Sequence, residues 1–366
     1  MNKEKSLPTS NSFEKEPITF IIFLRGVAVF LIYWAHLASW LDTWEVSWLP
    51  MDFIRNYFTE PLGIIQDFGF MGVSLLFLIT GFIITHIAQV EKRKEFAIKR
   101  LFRIYPPLIV SIILIVAFYG IYGLITQSYI HIQNFTSLDI LVSFTLANYL
   151  MVPQYVVNGV AWILVVIGIF YLSCFIILPL LKKRPKTSIV SLISFSIITI
   201  ILSKSFGSSF FLFAVSVSHV PFLIIGQIFY YWWKKKLSNI ESIVFSIIAY
   251  FVSVQGLLIV NPDFYLSVNS YEISFVYACL VFFIALLLNE RIRVGRILGF
   301  YSKISYSFFL NNGITTELIS FLFPLLGFSP SLGISFLLST TVAYISWHYI
   351  EIPFRTFSRK IVNHLD

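Results

Sequence analysis

The stretch FIIFLRGVAVFLIYWAHLASW (residues 20–40) decides the fold class of this 366-residue chain. It is apolar almost throughout and long enough to cross a bilayer as a helix, which takes about 20 residues. Two ionisable residues, Arg25 and His36, interrupt it. Because their spacing is close to three helical turns, the two side chains lie on nearly the same face, roughly 16 Å apart along the axis. Ionisable groups are costly in a membrane, so the pair indicates a functional polar track. Taken singly, Arg25 is equally compatible with snorkelling to the headgroups, and His36 with an interfacial position.

Beyond this stretch, the whole chain has the composition of a polytopic membrane protein. Hydrophobic residues make up 58% and charged residues 12%, with a mean hydropathy of +0.85; soluble domains have about 45–50% and about 25%. So little charge excludes a soluble globule, a disordered or fibrous chain and a nucleic-acid-binding protein, despite the formal net charge of +8. Cys174 and Cys279 both lie in apolar runs, and two such residues favour neither a disulfide framework nor a zinc site.

Length and hydropathy predict an all-α protein with about ten transmembrane helices. The predicted spans are residues 18–41, 69–89, 104–126, 158–181, 188–203, 210–233, 240–260, 271–289, 302–326 and 331–353. An eleventh apolar segment, residues 138–152, is shorter and contains Ser143, Thr145 and Asn148.

The distribution of charge predicts the orientation of the spans. Basic residues cluster within residues 3–15, 92–103, 182–186, 234–236, 291–303 and 355–360. The intervening loops hold only Arg55 and Lys204, together with acids that include Asp42, Glu45, Asp52, Glu60, Asp67, Asp263 and Glu272. If residues 138–152 crossed the bilayer, every later basic cluster would face outside. The positive-inside rule therefore predicts that this segment is re-entrant or interfacial and that both termini are cytoplasmic. The predicted organisation is a tail (1–17), a transmembrane domain (18–358) and a second tail (359–366).

A second candidate site lies in KRLFRIYPP (residues 99–107). Arg100 and Arg103 are three residues apart, so they lie on one side of a helix that enters the membrane. Their guanidinium groups suit bidentate binding of phosphate oxygens, although a positive-inside anchor is an equally ordinary role for such residues. Among the histidines, His219 is balanced between a structural role and a role in acceptor binding. Glu351 is placed to pair with Arg355 one helical turn later.

Seven segments together resemble the acyltransferase-3 family of bacterial membrane proteins, which O-acylate cell-surface glycans. LRGVAVFLIYWAHL matches the family's first span through Arg25 and His36, and FAIKRLFRIYPP matches its Arg-x-x-Arg element through Arg100, Arg103, Tyr105 and Pro106. The other similar segments are GFMGVSLLFLITGFIIT, AWILVVIGIFYLSCFIILPLL with Trp162 and Phe170–Tyr171, HVPFLIIGQIF, SKISYSFFLNN and SWHYIEIPFR. The resemblance runs in order from about residue 18 to residue 358.

The resemblance implies transfer of an acyl group, often acetyl, from cytoplasmic acyl-CoA to a hydroxyl of a surface polysaccharide or lipid-linked saccharide, in the bacterial plasma membrane and without a metal. It assigns His36 as the base or transient acyl carrier and Arg25 to the donor path. Arg100, Arg103 and Tyr105 then bind the donor, while Trp162, Ser74, Asn312 and Glu351 are acceptor-side or supporting residues. A neutral imidazole that takes a proton from a sugar hydroxyl is the simplest chemistry for this reaction.

The chain also departs from the family pattern. Ile167 stands where many relatives have a glutamate, Ser74 where they often have an aspartate, and Asn312 where they have a histidine. These changes leave the acceptor open and make a catalytically silent scaffold a third possibility. The main alternative is a glycan exporter or flippase, which should have two related halves with broken helices near the midplane. No such halves stand out in the sequence.

Overall fold

A computed structural model describes residues 18–127, 135–260 and 271–365. The predicted tail 1–17 and the loop residues His131 and Asp263 lie outside these ranges. The described part is helical, with eight helices long and apolar enough to cross a membrane. Two shorter apolar helices, Pro185–Ile201 and Tyr271–Leu287, occupy the two remaining predicted spans. The prediction of an all-helical polytopic membrane protein is therefore confirmed.

The helices have the following bounds. They are α1 (Thr19–Thr43), α2 (Leu49–Ile54), α3 (Gly69–Ala88), α4 (Arg93–Thr126), α5 (Ser137–Ser143), α6 (Trp162–Ile176), α7 (Leu178–Lys183), α8 (Pro185–Ile201), α9 (Ser208–Val217), α10 (Val220–Trp233), α11 (Asn239–Val260), α12 (Tyr271–Leu287), α13 (Arg296–Leu326), α14 (Phe328–Ser346) and α15 (Ile352–Leu365). Short π-helical turns cover Arg55–Thr59 and Trp347–Glu351, and 3₁₀ turns cover Ile65–Phe68, Ala147–Leu150 and Gly159–Ala161.

Contacts between loops distinguish the two ends of the helix bundle. At the end that we call the basic end, Lys182 donates to the carbonyl oxygen of Glu91 over 2.7 Å, and Lys236 donates to the side chain of Gln89 over 2.6 Å. The Glu91 carboxylate also lies 3.2 Å from the Lys99 ammonium group and 3.4 Å from the Arg100 guanidinium group. Burial raises the pKa of Glu91, and the two cations oppose this shift. Three of the basic clusters therefore meet at one end of the bundle.

Helix α3 packs closely against α10 because each of the two helices has a glycine where they cross. A Cβ at Gly81 would lie 1.8 Å from the carbonyl oxygen of Leu223 in α10, and one at Gly226 would lie 2.1 Å from the carbonyl oxygen of Leu78 in α3. The backbones of α3 and α10 thus touch where each helix has a glycine. Small residues at such crossings are the usual means of packing helices in a membrane, where no hydrophobic force draws them together.

Helix α13 packs between α1 and α14. Its contact with α14 uses a face of small residues at four-residue spacing on α14: Ser331, Ser335, Ser339 and Ala343 are all buried. Its register with α1 is marked by Trp40, whose indole nitrogen donates to the Ser320 hydroxyl over 2.8 Å. At the other end of the same contact, Gly26 lies against the backbone of Leu298. The helices α1 and α13 therefore run in the same direction.

The structure refines the predicted boundaries in three places. Residues 138–152 form only the short α5 and a 3₁₀ turn, so this segment is too short to cross a bilayer as a helix. The predicted span 210–233 is divided into α9 and α10 at Ser218–His219, just before Pro221, whose ring cannot continue the preceding hydrogen-bond ladder. The predicted tail 359–366 is helical as far as Leu365, because α15 stacks its Phe354 and Phe357 on Phe102 of α4.

Candidate functional site

Helix α1 carries a cation, an apolar residue and an imidazole on one face. Ile32 lies seven residues after Arg25 and four residues before His36. At 1.5 Å per residue, Arg25 is about 10 Å from Ile32 toward the basic end, and His36 is about 6 Å from Ile32 in the other direction. Each of the two ionisable residues opens into a separate cavity.

The inner cavity lies toward the basic end and has a volume of about 160 Å³. Arg25, Arg100 and Arg103 line it together with Tyr171 and Tyr306. Its remaining wall is largely aliphatic and includes Leu76, Ile79, Ile83, Ile84, Ile87, Leu164 and Ile167. The structure thus brings together the three arginines that the sequence places in two distant segments. The cavity combines anion-binding groups with an apolar channel.

Positive charge dominates the surroundings of Arg25. Arg103 and Arg355 repel its guanidinium group, and Glu351 attracts it. Glu351 is itself engaged elsewhere: its carboxylate lies 2.5 Å from the Ser307 hydroxyl and 3.6 Å from the Arg355 guanidinium group. Within the described ranges, neither Arg25 nor Arg103 has a carboxylate within 4 Å. Buried cations need a counter-charge, so the inner cavity is suited to an anionic ligand.

Two prolines shape the helix that supplies Arg100 and Arg103. Pro106 and Pro107 lie inside α4 and lack the N–H groups that would bond to the carbonyls of Phe102 and Arg103. One turn of α4 is tied to α13 instead, because the Tyr306 hydroxyl donates to the Ile104 carbonyl over 2.9 Å. This bond holds the arginine-bearing part of α4 beside the inner cavity.

The outer cavity lies on the far side of Ile32 and has a volume of about 700 Å³. His36 lines it with Ser39 and Asp42 of α1, Asp67, Trp162, and Glu317 of α13. Among the described residues, His36 has no hydrogen-bond partner. Its imidazole is therefore available to a ligand in a cavity whose size falls in the range of about 300–1,000 Å³ typical of ligand sites.

A buried hydrogen-bond network fixes one wall of the outer cavity. The side-chain amide of Asn158 donates to the Ser111 hydroxyl and to the Leu310 carbonyl, each over 3.0 Å. Its amide oxygen accepts from the N–H of Val160 over 3.2 Å, and its carbonyl accepts from the Tyr149 hydroxyl. Asn158 thus attaches the turn before α6 to both α4 and α13, which places Trp162 at the cavity.

A strained turn forms the mouth of the outer cavity. Gln66, Asp67 and Phe68 have φ values of 52°, 45° and 72°, a left-handed conformation that costs about 1–3 kcal/mol per residue for non-glycine residues. Arg55 holds the turn by donating to the Asp67 carboxylate over 2.7 and 2.9 Å and to the Asp42 carboxylate over 2.7 and 2.8 Å. The hydrogen bonds that Arg55 donates to Asp67, and to a smaller extent those to Asp42, raise the pKa of its guanidinium group.

Three residues line both cavities: Ile32 of α1, Ile163 of α6 and Phe309 of α13. All three are buried, with 5%, 2% and 7% of their surface exposed. We call these three residues the shared wall. It is apolar, and it separates the arginines on one side from His36 on the other.

The other predicted site residues lie in different parts of the bundle. Trp162 lines the outer cavity, whereas Asn312 lines the inner cavity, where its amide oxygen is buried without a hydrogen-bond partner in the described structure. Glu351 lies at the basic end of the bundle, where its carboxylate pairs with Arg355 as the sequence predicts. Ser74 and Tyr105 line neither cavity.

His219 has structural contacts and lines neither cavity itself. Its ring packs 5.2 Å from the Trp162 ring, and its Nδ1 lies 3.0 Å from the Val215 carbonyl oxygen. These contacts support a structural role for His219.

Three residues at the outer cavity are missing from the predicted site: Glu317, Asn158 and Asp67. Glu317 is a carboxylate inside the predicted span 302–326, so the rule that singles out Arg25 could also have found it. Asn158 precedes the Trp162 helix as a capping residue, which is a weaker signal. In the described ranges, no group of three His, Cys, Asp or Glu residues is arranged to hold a metal ion.

Comparison with known proteins gives one match. A family model described as an acyltransferase domain, acyltransferase 3, matches residues 18–348. No curated protein and no solved structure matches the chain.

Proposed function

Because this chain belongs to the acyltransferase-3 family, we propose that it is a transmembrane O-acyltransferase of a bacterial plasma membrane. The donor is cytoplasmic acyl-CoA, with acetyl-CoA the first to test, and the acceptor is a hydroxyl of a surface polysaccharide or lipid-linked saccharide. The basic end faces the cytoplasm, as the positive-inside rule requires. The membrane domain extends over residues 18–358. The shared wall carries this proposal, because it brings a cationic cavity and a histidine cavity into contact from opposite ends of the bundle.

The inner cavity receives the acyl end of the donor. Its volume of about 160 Å³ admits a narrow chain but not a nucleotide, so the donor phosphates remain at the basic end beside Arg100 and Arg103. Guanidinium groups bind phosphate oxygens in pairs of parallel hydrogen bonds. The buried amide oxygen of Asn312 is available to accept from an amide N–H of the donor arm. This arrangement places the thioester against the shared wall.

The acceptor hydroxyl reaches the thioester at the shared wall, where the two cavities meet, and His36 performs the proton transfer there. Its imidazole takes the proton of the acceptor hydroxyl as the hydroxyl oxygen attacks the thioester carbonyl carbon. The carbon–sulfur bond then breaks, and the imidazole returns the proton to the leaving thiolate. The products are an ester and a free thiol. Arg25 is roughly 16 Å from His36 along the helix, so its part in the reaction is to hold the donor.

The first test is mass spectrometry of surface glycans from three strains: wild type, a deletion, and the deletion carrying His36→Ala. We expect an acyl mass increment in the wild type alone, which also identifies the donor group and the acceptor. A strain that carries His86→Ala is the matched control, since His86 lies near the basic end and lines neither cavity. It should keep the increment.

Two results contradict the proposal. An unchanged acyl pattern together with a changed amount of glycan would favour an exporter. An increment that survives His36→Ala would remove the proposed base, whatever reaction the protein catalyses. Western blotting of the variants against the wild type excludes loss of protein as the cause of a lost increment.

A further inference from the structure

The charge of the outer cavity restricts the acceptor that it can bind. The ionisable residues in its lining are His36, Asp42, Asp67 and Glu317, and within the described ranges no lysine or arginine lines it. Low-dielectric clefts that carry one sign of charge concentrate ligands of the opposite sign and exclude ligands of the same sign. The cavity is therefore unfavourable for an anionic ligand.

Arg55 does not reverse this charge. Its guanidinium group is engaged by both Asp42 and Asp67 in four hydrogen bonds of 2.7–2.9 Å. Because one cation is shared by two carboxylates, Arg55, Asp42 and Asp67 together carry a net negative charge at the mouth of the outer cavity. Glu317 adds a third carboxylate; its contact in the described structure is the Tyr119 hydroxyl, at 3.3 Å, and no cation there pairs with it.

The wider face carries the same sign. The sequence between spans on this side contains only Arg55 and Lys204 as cations, against Asp42, Glu45, Asp52, Glu60, Asp67, Asp263 and Glu272. A negative face together with a negative cavity repels carboxylated or phosphorylated sugars before they enter, and this repulsion weakens as salt is added.

Glu317 lies at the level of His36. Trp40 and Ser320 are hydrogen-bonded, and α1 and α13 run in the same direction. His36 lies four residues before Trp40, and Glu317 lies three residues before Ser320, so both are about one helical turn deeper than this bond. A carboxylate accepts hydrogen bonds from several hydroxyls, and the rings of Trp162 and Tyr119 in the same cavity offer apolar faces.

We propose that the outer cavity binds a polyhydroxylated acceptor unit that carries no carboxylate or phosphate and that Glu317 positions its hydroxyls for His36. This inference rests on the acyltransferase function proposed above and names the class of its acceptor. Glu317 is a positioning residue, because it orients the acceptor and takes no part in the proton transfer. Sugar units that carry a carboxylate or a phosphate are excluded.

The experiment uses the full-length protein in membrane vesicles with radiolabelled acetyl-CoA as the probe. The labelled glycan is fragmented, and mass spectrometry identifies the charge of the unit that holds the label. Wild type is compared with Glu317→Gln, which keeps an oxygen to accept from Tyr119, and with Glu60→Gln, a matched control at an exposed glutamate outside the cavity.

We expect the label on a unit that carries neither a carboxylate nor a phosphate. Glu317→Gln should raise the KM for the acceptor by about 10- to 100-fold, the loss expected for one hydrogen bond to a charged group, while the KM for acetyl-CoA stays within twofold. Glu60→Gln should match the wild type. A merely structural role for Glu317 would instead lower the amount of folded protein and affect both substrates.

Label on a unit that carries a carboxylate or a phosphate would overturn this inference and leave acyl transfer intact. The same holds if Glu317→Gln behaves like Glu60→Gln. The absence of label in every sample, with the wild type correctly folded, would instead overturn the proposed function itself.

Discussion

At the scale of single residues, the two arginines of the proposed donor site differ in their counter-ions. Arg100 shares the Glu91 carboxylate with Lys99, whereas Arg103 has no carboxylate within 4 Å in the described structure. Of the two, Arg103 therefore has more to gain from a bound phosphate. The two arginines that look equivalent in the sequence are expected to contribute unequally.

Arg103→Ala should weaken binding of coenzyme A by about 10-fold or more, the value of one hydrogen bond to a charged group. Binding can be measured by titration calorimetry on the detergent-solubilised protein. Arg293→Ala is the control, because Arg293 is exposed at the same end of the bundle and lines no cavity. Equal affinities for the two variants would contradict the assignment of Arg103 to the donor site.

The sequence predicts the residues whose placement depends on one helix and misses those that depend on packing. Arg25 and His36 are on one face of α1 because helical geometry is local. The cavity role of Asp67 depends on a left-handed turn and on Arg55, which lies twelve residues earlier. Tyr105 lies two residues after Arg103 in the sequence but lines neither cavity, whereas the distant Tyr306 lines the inner cavity. Neither fact follows from residue type or spacing.

At the scale of helices, the crossing of α3 and α10 requires glycine on both sides. Both segments resemble family signatures, but the resemblance gives no reason for the two glycines. The structure gives the reason, because the backbones of the two helices are in direct contact at Gly81 and Gly226. Other features of the helices are less visible in the sequence. The division between α9 and α10 and the continuation of α15 to Leu365 both depend on neighbouring helices.

Gly81→Ala should separate α3 from α10, because the new Cβ would lie 1.8 Å from the Leu223 carbonyl oxygen. Overpacking of this kind costs about 1–3 kcal/mol or more. The expected result is a lower midpoint of thermal unfolding in detergent, or loss of the folded protein. Gly168→Ala is the matched control, since the described structure has no atom within 4 Å of a Cβ at Gly168. Its unfolding midpoint should equal or exceed that of the wild type.

At the scale of the whole molecule, the three side chains of the shared wall separate the inner cavity from the outer cavity. Ile32, Ile163 and Phe309 come from three helices in different parts of the chain, and no segment contains more than one of them. The complete wall exists only when α1, α6 and α13 are assembled. In the function proposed above, its apolar side chains limit the access of bulk water in the outer cavity to a thioester in the inner one.

Phe309→Ala should open the wall and let water reach the donor. We expect release of free coenzyme A without acceptor to increase about tenfold relative to the wild type, measured with a thiol reagent. Phe321→Ala is the control, because it removes the same side chain from α13 at a position that lines neither cavity. If both variants release coenzyme A at the wild-type rate, the wall does not protect the donor.

The shared wall also has an electrical consequence. In the proposed reaction the acyl group passes outward across this wall, and the proton of the acceptor hydroxyl passes inward through His36 to the thiol. Each turnover then moves no net charge across the bilayer. One uncompensated elementary charge would couple the reaction to the membrane potential by about 2.3 kcal/mol per 100 mV. In proteoliposomes with a potassium diffusion potential, the rate of acyl transfer should therefore be the same at either polarity.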